Sequence, residues 1–217
     1  MISAVIFDLD GVLVDSEPVW EDVRRAVVAE HGGRWAPDAQ QRLMGMNTAE
    51  WARYLSADLG VGQSPAEVAE LVIGRMAERY AADLPMLPGA VAAVRAAAVR
   101  WPLGLASSSP RVLIDTVLAG AGIGDLFAVT VSADEVDRGK PAPDIYLTVA
   151  DRLGVPAARC VAVEDSSNGL RSAVAAGMRV IAAPRPAHPP AQDALAGAAV
   201  VVRGLTELTP ELIAPPD

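Results

Sequence analysis

Two aspartates separated by one residue, Asp8 and Asp10 in Asp8-Leu9-Asp10-Gly11-Val12, follow directly on a short apolar run near the start of the chain. Two carboxylates at that spacing in a turn can converge on one metal or phosphate. They can also divide the work, one ligating and attacking while the other handles a proton. An Asx turn followed by glycine gives the same pattern without chemistry. Three later clusters weigh against that plain reading. Ser107-Ser108-Ser109 offers hydroxyls and N–H groups near a helix start, a cradle for phosphate or a cap for the helix beginning near Arg111. Arg138-Gly139-Lys140-Pro141-Ala142-Pro143-Asp144 contains the only lysine among 18 basic residues. That puts a compact point charge where the sequence otherwise uses the planar guanidinium, although a solvated loop lysine would look the same. Asp144 is placed to cap the next helix. Glu164-Asp165-Ser166-Ser167-Asn168-Gly169 sets two acids side by side, which repel unless a cation compensates. A hard divalent ion with oxygen ligands, most simply Mg²⁺, would do so; capping by Asp165 or Ser166 is the alternative. Together the four clusters supply what phosphoryl transfer needs: a nucleophile, an acid, phosphate donors, a cation and metal ligands.

The elements that must position these groups alternate along most of the chain. Short apolar runs at Ser3 to Phe7, Leu103 to Ala106, Ala128 to Ser132, Cys160 to Val163, Arg179 to Ala183 and Ala199 to Val202 read as strands buried on both faces of a parallel sheet. Helical patterns lie between them, at Ala90 to Arg100, Arg111 to Gly120, Asp144 to Leu153 and Gly169 to Ala176. The expected fold is therefore α/β, a doubly wound, Rossmann-like parallel sheet, with the polar clusters on its C-terminal edge. The stretch 16–84 reads as helices only: Val19 to Glu30, a piece near Pro37 to Leu43, Thr48 to Leu59, and Pro65 to Ala82. Ser64-Pro65-x-Glu67 is a strong helix start, and Leu84 to Gly89 a stiff return linker. Residues 1–15 and 85–217 are thus expected to form a catalytic core. Residues 16–84 are expected to form an inserted α-helical cap, above the edge where open α/β sheets bind ligands.

Bulk properties set limits. In 217 residues, 52% are hydrophobic and the formal net charge is −9. The chain lacks the basic face that nucleic acid requires, yet a metal could still bring in an anionic substrate. Its one cysteine, Cys160, lies in an apolar run and reads as a buried core thiol. With no intramolecular disulfide possible, no basic leader and no apolar run long enough to span a bilayer, a cytoplasmic enzyme with no membrane partner is expected. A monomer or weak dimer is the expected state.

The order and spacing of FDLDGVLVDSE (Phe7 to Glu17), LASSSP (Leu105 to Pro110), GKPAPD (Gly139 to Asp144) and VEDSSNG (Val163 to Gly169) resemble the haloacid dehalogenase superfamily of phosphotransferases. The resemblance covers nearly the whole chain, helical insertion included. It implies that Asp8 attacks phosphorus and that Asp10 protonates the leaving oxygen, then activates water. It implies Mg²⁺ held by the Asp8 carboxylate, the Asp10 carbonyl, Glu164 and Asp165, with Asp165 the surer ligand. Ser107 and the backbone near Ser108 would bind phosphoryl oxygens, Lys140 would offset charge on Asp8 and phosphate, and Asp15 and Ser16 would mark the first hinge. The dehalogenases of this fold lack an acid at the position of Asp10, because halide leaves without a proton; an acid there favours phosphate esters.

A phosphosugar mutase similar to β-phosphoglucomutase would share all four motifs. That branch carries a histidine where this chain has Trp20, and lysine and arginine in a cap loop where Leu43-Met44-Gly45-Met46-Asn47-Thr48 stands. Asp15 to Trp20 looks instead like phosphatases acting on hexitol phosphates or 2-deoxyglucose 6-phosphate. The expectation is a Mg²⁺-dependent phosphatase of a small phosphomonoester, a sugar or sugar-alcohol phosphate, over a mutase or a non-catalytic binding relative. Glu17 and Asn47 are the cap residues expected to bind substrate. Trp20, Met46 and Trp51 are further candidates, since indole faces pack on sugar C–H surfaces, unless the two tryptophans simply fill the cap core. His31 and His188 need no catalytic role.

Overall fold

A computed structural model of the chain describes residues 1–43 and 46–215. Met44 and Gly45, in the loop singled out for its lack of basic residues, lie outside the described residues. The chain forms two compact units, Met1–Asp15 with Pro85–Asp217, and Ser16–Leu84.

The first unit is built on six parallel strands: β1 Ala4–Phe7, β2 Leu103–Ser107, β3 Phe127–Ser132, β4 Cys160–Glu164, β5 Arg179–Ala182 and β6 Val200–Val201, in the order β3-β2-β1-β4-β5-β6. Every residue of β1, β2 and β4 is buried, so these strands are apolar rather than alternating up to their C-terminal ends, as a sheet covered on both faces requires; only the last residues of β2 and β4, Ser107 and Glu164, are polar. The covering helices are α5 Ala90–Ala98, α6 Arg111–Gly120, α7 Asp144–Leu153 and α8 Ser167–Ala175, with one-turn pieces at Gln192–Leu195 and Pro210–Ile213. The α/β expectation holds. Strand order reverses between β1 and β4, and Phe7 pairs with Val163 there. The residues just beyond, Asp8 on one strand and Glu164 on the other, therefore open into the crevice that open α/β sheets use for ligands.

Both linker segments belong to this unit and run as a short ribbon. Val14 and Met86 form an antiparallel bridge, the Leu87 N–H donates to the Leu13 carbonyl at 2.9 Å and the Asp15 N–H to the Pro85 carbonyl at 2.9 Å. Arg185 ties Asp15 at 2.9 Å from the loop after β5.

The second unit comprises α1 Glu17–Glu30, α2 Ala39–Leu43, α3 Thr48–Arg53 and α4 Pro65–Ala82. Capping boxes start two of them: Asn47 with Glu50 on α3, and Ser64 with Glu67 on α4. The sequence pattern suggests one continuous helix over Thr48 to Leu59. Instead α3 passes into a π-helical turn at Tyr54–Asp58, closed by the Leu59 N–H on the Tyr54 carbonyl. Consecutive residues Tyr54 and Leu55 are both buried there. Among the described residues, no helix is long and apolar enough to cross a membrane.

Candidate active site

In an all-parallel sheet the C-terminal strand ends share one edge, and the α/β unit gathers its polar groups there. Asp8 leaves β1 with its N–H donating to the Val163 carbonyl at 3.0 Å. Lys140 reaches in from the loop before α7 and donates from Nζ to three acceptors: Asp8 Oδ1 at 2.9 Å, Glu164 Oε1 at 2.6 Å and the Ala106 carbonyl at 3.0 Å. Its side chain is 5% exposed and Glu164 wholly buried. The solvated-loop reading of this lysine fails. Burial opposes its charge, but Asp8 and Glu164 outweigh burial and hold the ammonium above its ordinary pKa.

Carboxylates outnumber the cation. Asp8, Glu164 and Asp165 each offer an oxygen within 4.8 Å of the others. Burial pushes the Asp8 carboxyl up to about 8, Lys140 pulls it back, and Glu164 and Asp10 add to the push. Burial, then Glu164 and Asp8, drive Asp165 well above the usual carboxylate range. The Asp165 Oδ1 atom is buried and accepts no hydrogen bond. An oxygen-only donor set with surplus negative charge and one orphaned acceptor fits a hard divalent cation.

The two adjacent acids are not equivalent. Glu164 Oε1 accepts from Lys140 and from the Tyr146 hydroxyl at 2.9 Å, while Oε2 accepts the Asp165 N–H at 3.0 Å, the Ser166 N–H at 3.2 Å and the Ser166 hydroxyl at 3.2 Å. Glu164 is an anchor for Lys140 and for the turn; Asp165 keeps the open oxygen. Two glycines permit this crowding. A Cβ at Gly11, whose φ is +75°, would lie 2.0 Å from Asp165 Oδ2, and one at Gly169 would lie 1.8 Å from Glu164 Oε1.

The serine cluster departs from expectation. Helix α6 is capped at Pro110 without any side-chain bond, so no serine serves as its cap. Ser109 instead donates its hydroxyl to Asp10 Oδ2 at 2.7 Å, and Ser107 donates to the same oxygen at 3.3 Å. Ser108 is exposed. Asp144 does not cap α7 either; Pro143 holds that position. The Asp144 carboxylate accepts Arg138 Nε at 3.0 Å and Nη2 at 2.9 Å. Ser166 does cap α8, accepting the Gly169 N–H at 3.0 Å.

Asp8, Asp10, Ser107, Lys140, Glu164 and Asp165 thus form one hydrogen-bonded or closely packed group. Glu17 and Asn47 lie in the helical unit. The Glu17 carboxylate accepts Gln40 Nε2 at 2.8 Å, and the Asn47 side-chain oxygen accepts the Glu50 N–H at 3.0 Å as a helix cap. Trp20 and Trp51 are 7% and 2% exposed, with ring centroids 5.9 Å apart and the Arg24 guanidinium 4.5 Å and 5.3 Å from them. They fill the core of their unit.

The haloacid dehalogenase-like hydrolase family matches residues 2–177. The chain belongs to that family. This haloacid dehalogenase-like hydrolase is 37% identical over 216 residues to hexitol phosphatase B of Escherichia coli (strain K12), covering 96% of this chain and 95% of the relative. Its structure is similar to that of CbbY from Rhodobacter sphaeroides in complex with phosphate, with a TM-score of 0.85, 27% identity and 96% of each chain covered. It is also similar to a putative β-phosphoglucomutase from Thermotoga maritima, with a TM-score of 0.74, 32% identity and 93% and 94% covered. The expectation of a hydrolase of this type, with this fold, is met.

The sequence of this hydrolase gives no signal for Tyr146, whose hydroxyl bonds Glu164 and whose ring lies 5.1 Å from Lys140 Nζ. In sequence it is one more aromatic on an amphipathic helix. Gly11 and Gly169 were visible only as turn glycines, because the acids they accommodate come from elsewhere in the fold or from the preceding turn. Ser109 carried a signal, the run of three serines, but nothing in it distinguished the middle hydroxyl from the last.

Proposed function

We propose that this hydrolase is a Mg²⁺-dependent phosphatase of a small phosphomonoester, working through an aspartyl-phosphate on Asp8. The observation that carries the reading is the packing of Asp8, Glu164 and Asp165 around a single lysine, with one buried Asp165 oxygen unmatched. The Asp8 carboxylate, the Asp10 carbonyl and Asp165 would hold Mg²⁺, with Glu164 beside them. When bound, the ion supplies the positive charge that keeps Asp8 ionised and draws in the phosphoryl oxygens.

An oxygen of Asp8 attacks phosphorus as the bond to the ester oxygen breaks, and Asp10 gives its proton to that leaving oxygen. Ser107 and the backbone at Ser108 donate to the phosphoryl oxygens, and Lys140 spreads positive charge over Asp8 and phosphate. Asp10, now a carboxylate, takes a proton from water as that water attacks phosphorus, and Asp8 is released. Water as final acceptor, rather than a second sugar hydroxyl, is supported by the loop from Leu43 to Thr48, which has no lysine or arginine to retain a bisphosphate. A sugar or sugar-alcohol phosphate is supported by the likeness to hexitol phosphatase B. Glu17 and Asn47 are proposed as its contacts in the helical unit.

Phosphate release from 4-nitrophenyl phosphate tests the reading. Turnover should require Mg²⁺, and Asp8→Asn should abolish it, a loss of at least about 10³-fold on the scale of removing a nucleophile. Turnover undiminished in that variant would overturn the mechanism.

A further inference from the structure

The proposed acid, Asp10, has a setting that its motif does not specify. Its Oδ2 accepts two hydroxyls, from Ser109 at 2.7 Å and from Ser107 at 3.3 Å. The shorter bond comes from the more elaborately held residue. The Ser109 N–H donates to Ser107 Oγ at 3.0 Å, and the Ser109 carbonyl accepts the hydroxyl of wholly buried Ser132 at 2.8 Å. Ser109 itself is 5% exposed. A relay therefore runs from the end of β3 through Ser109 to Asp10, fixing a hydroxyl whose partner is a half-buried carboxylate.

We propose that Ser109 is a positioning residue for the acid step: it occupies Asp10 Oδ2 so that the transferable proton resides on Oδ1. A carboxyl oxygen that accepts the Ser109 O–H at 2.7 Å is the poorer site for a proton, and it stays so when Ser107 turns its single hydrogen to a phosphoryl oxygen; the other oxygen carries the proton. The rotation of the carboxyl is fixed by the same bonds. The serine gives and takes no proton in the net reaction; the proton on Asp10 Oδ1 passes to the leaving ester oxygen as the phosphorus–oxygen bond breaks. This inference rests on the phosphatase reading above.

Its consequence is a loss that depends on the leaving group. An acid assists a poor leaving group most, whereas a nitrated phenolate departs with little help. The test compares kcat/KM of wild type and Ser109→Ala on phenyl phosphate and on 2,4-dinitrophenyl phosphate, with Mg²⁺ present. General acid catalysis contributes about 10²–10⁴-fold in favourable cases, and misdirecting the acid should forfeit part of it. The expected fall is about 10- to 100-fold on phenyl phosphate and under about threefold on the dinitrophenyl ester. In an Asp10→Asn background, Ser109→Ala should add no further discrimination, since the two act through one group. Because both esters are assayed on one preparation, the ratio is independent of how much of the variant is folded. Equal losses on the two esters, or full discrimination persisting between Asp10→Asn proteins with and without Ser109, would overturn the proposal. If wild type cleaved neither ester and Asp8→Asn changed nothing, the phosphatase reading would fall instead.

Discussion

Lys140 in the α/β unit and Arg24 in the helical unit are both buried cations, and their surroundings differ. Lys140 in the α/β unit is surrounded by charge: two carboxylates and a carbonyl accept its three N–H groups. Arg24 in the helical unit, 5% exposed, lies across the faces of Trp20 and Trp51. A point charge with three donors suits the first setting, and a flat, weakly hydrated guanidinium suits the second. Polar groups at the sheet edge converge on Lys140 through hydrogen bonds. Around Arg24, two indole faces are part of the setting.

Exchanging the cations breaks the comparison if it is wrong. The largest effect is expected at Lys140. Lys140→Arg should lower turnover of 4-nitrophenyl phosphate by about 10²–10³-fold, the scale of removing one preorganised donor from a reacting oxygen. A planar fork cannot reproduce three convergent bonds in the space a lysine fills. The reciprocal change, Arg24→Lys, should cost about 2 kcal/mol of stability, because the ammonium loses the stacked area over two indoles. For a chain of this size that is a melting temperature lower by about 4–8 °C. If Lys140→Arg kept its turnover, or Arg24→Lys kept its melting temperature, the distinction between a lysine held by convergent bonds and an arginine stacked on indoles would collapse.

That difference also decides what the sequence could reveal. Asp8, Lys140 and the Glu164-Asp165 pair stand out because the proposed chemistry demands a residue type: acids at strand ends, and a lysine where arginine is otherwise the rule. The strands that carry them are legible because burial on both faces leaves runs such as Ala4–Phe7 with no polar interruption. The helical unit is different. In sequence Asn47 reads equally as a substrate contact or as a helix cap, since both uses want the same side chain; in the structure its oxygen caps α3. Trp20 and Trp51 pose the same ambiguity between a sugar platform and a core, and their stacking is set by which helix faces meet. The π-helical turn at Tyr54–Asp58 is likewise a consequence of packing, without any proline or glycine inside it to announce it. Tyr146 and Ser109 fall between these cases. Their hydroxyls bond carboxylates supplied from elsewhere in the chain, Glu164 and Asp10.

The smallest expected effect concerns a second charge cluster in the α/β unit, one that neither cation joins. Glu135 accepts the Ser132 N–H at 3.0 Å and Arg152 at 2.8 Å, and pairs with Arg111. Burial works to raise its pKa, but these three donors outweigh burial and bring the carboxyl down to about 2. A carboxyl lowered on folding stabilises the native state above its unfolded value, about 4.3 for glutamate. That contribution fades as pH falls from there toward 2. The partners are about a third to two-fifths exposed, so solvent screening limits the contribution to about 1 kcal/mol. Glu135→Gln should therefore melt about 2–4 °C below wild type at pH 7, and the gap should narrow as the two proteins are compared at progressively lower pH below about 4. Because Ser132 also holds the Ser109 carbonyl, loosening of its turn would extend the effect to the leaving-group ratio. A variant that lost stability while keeping that ratio would mean the Ser132 hydroxyl is fixed by the strand end alone, with the Glu135 cap serving stability and nothing else.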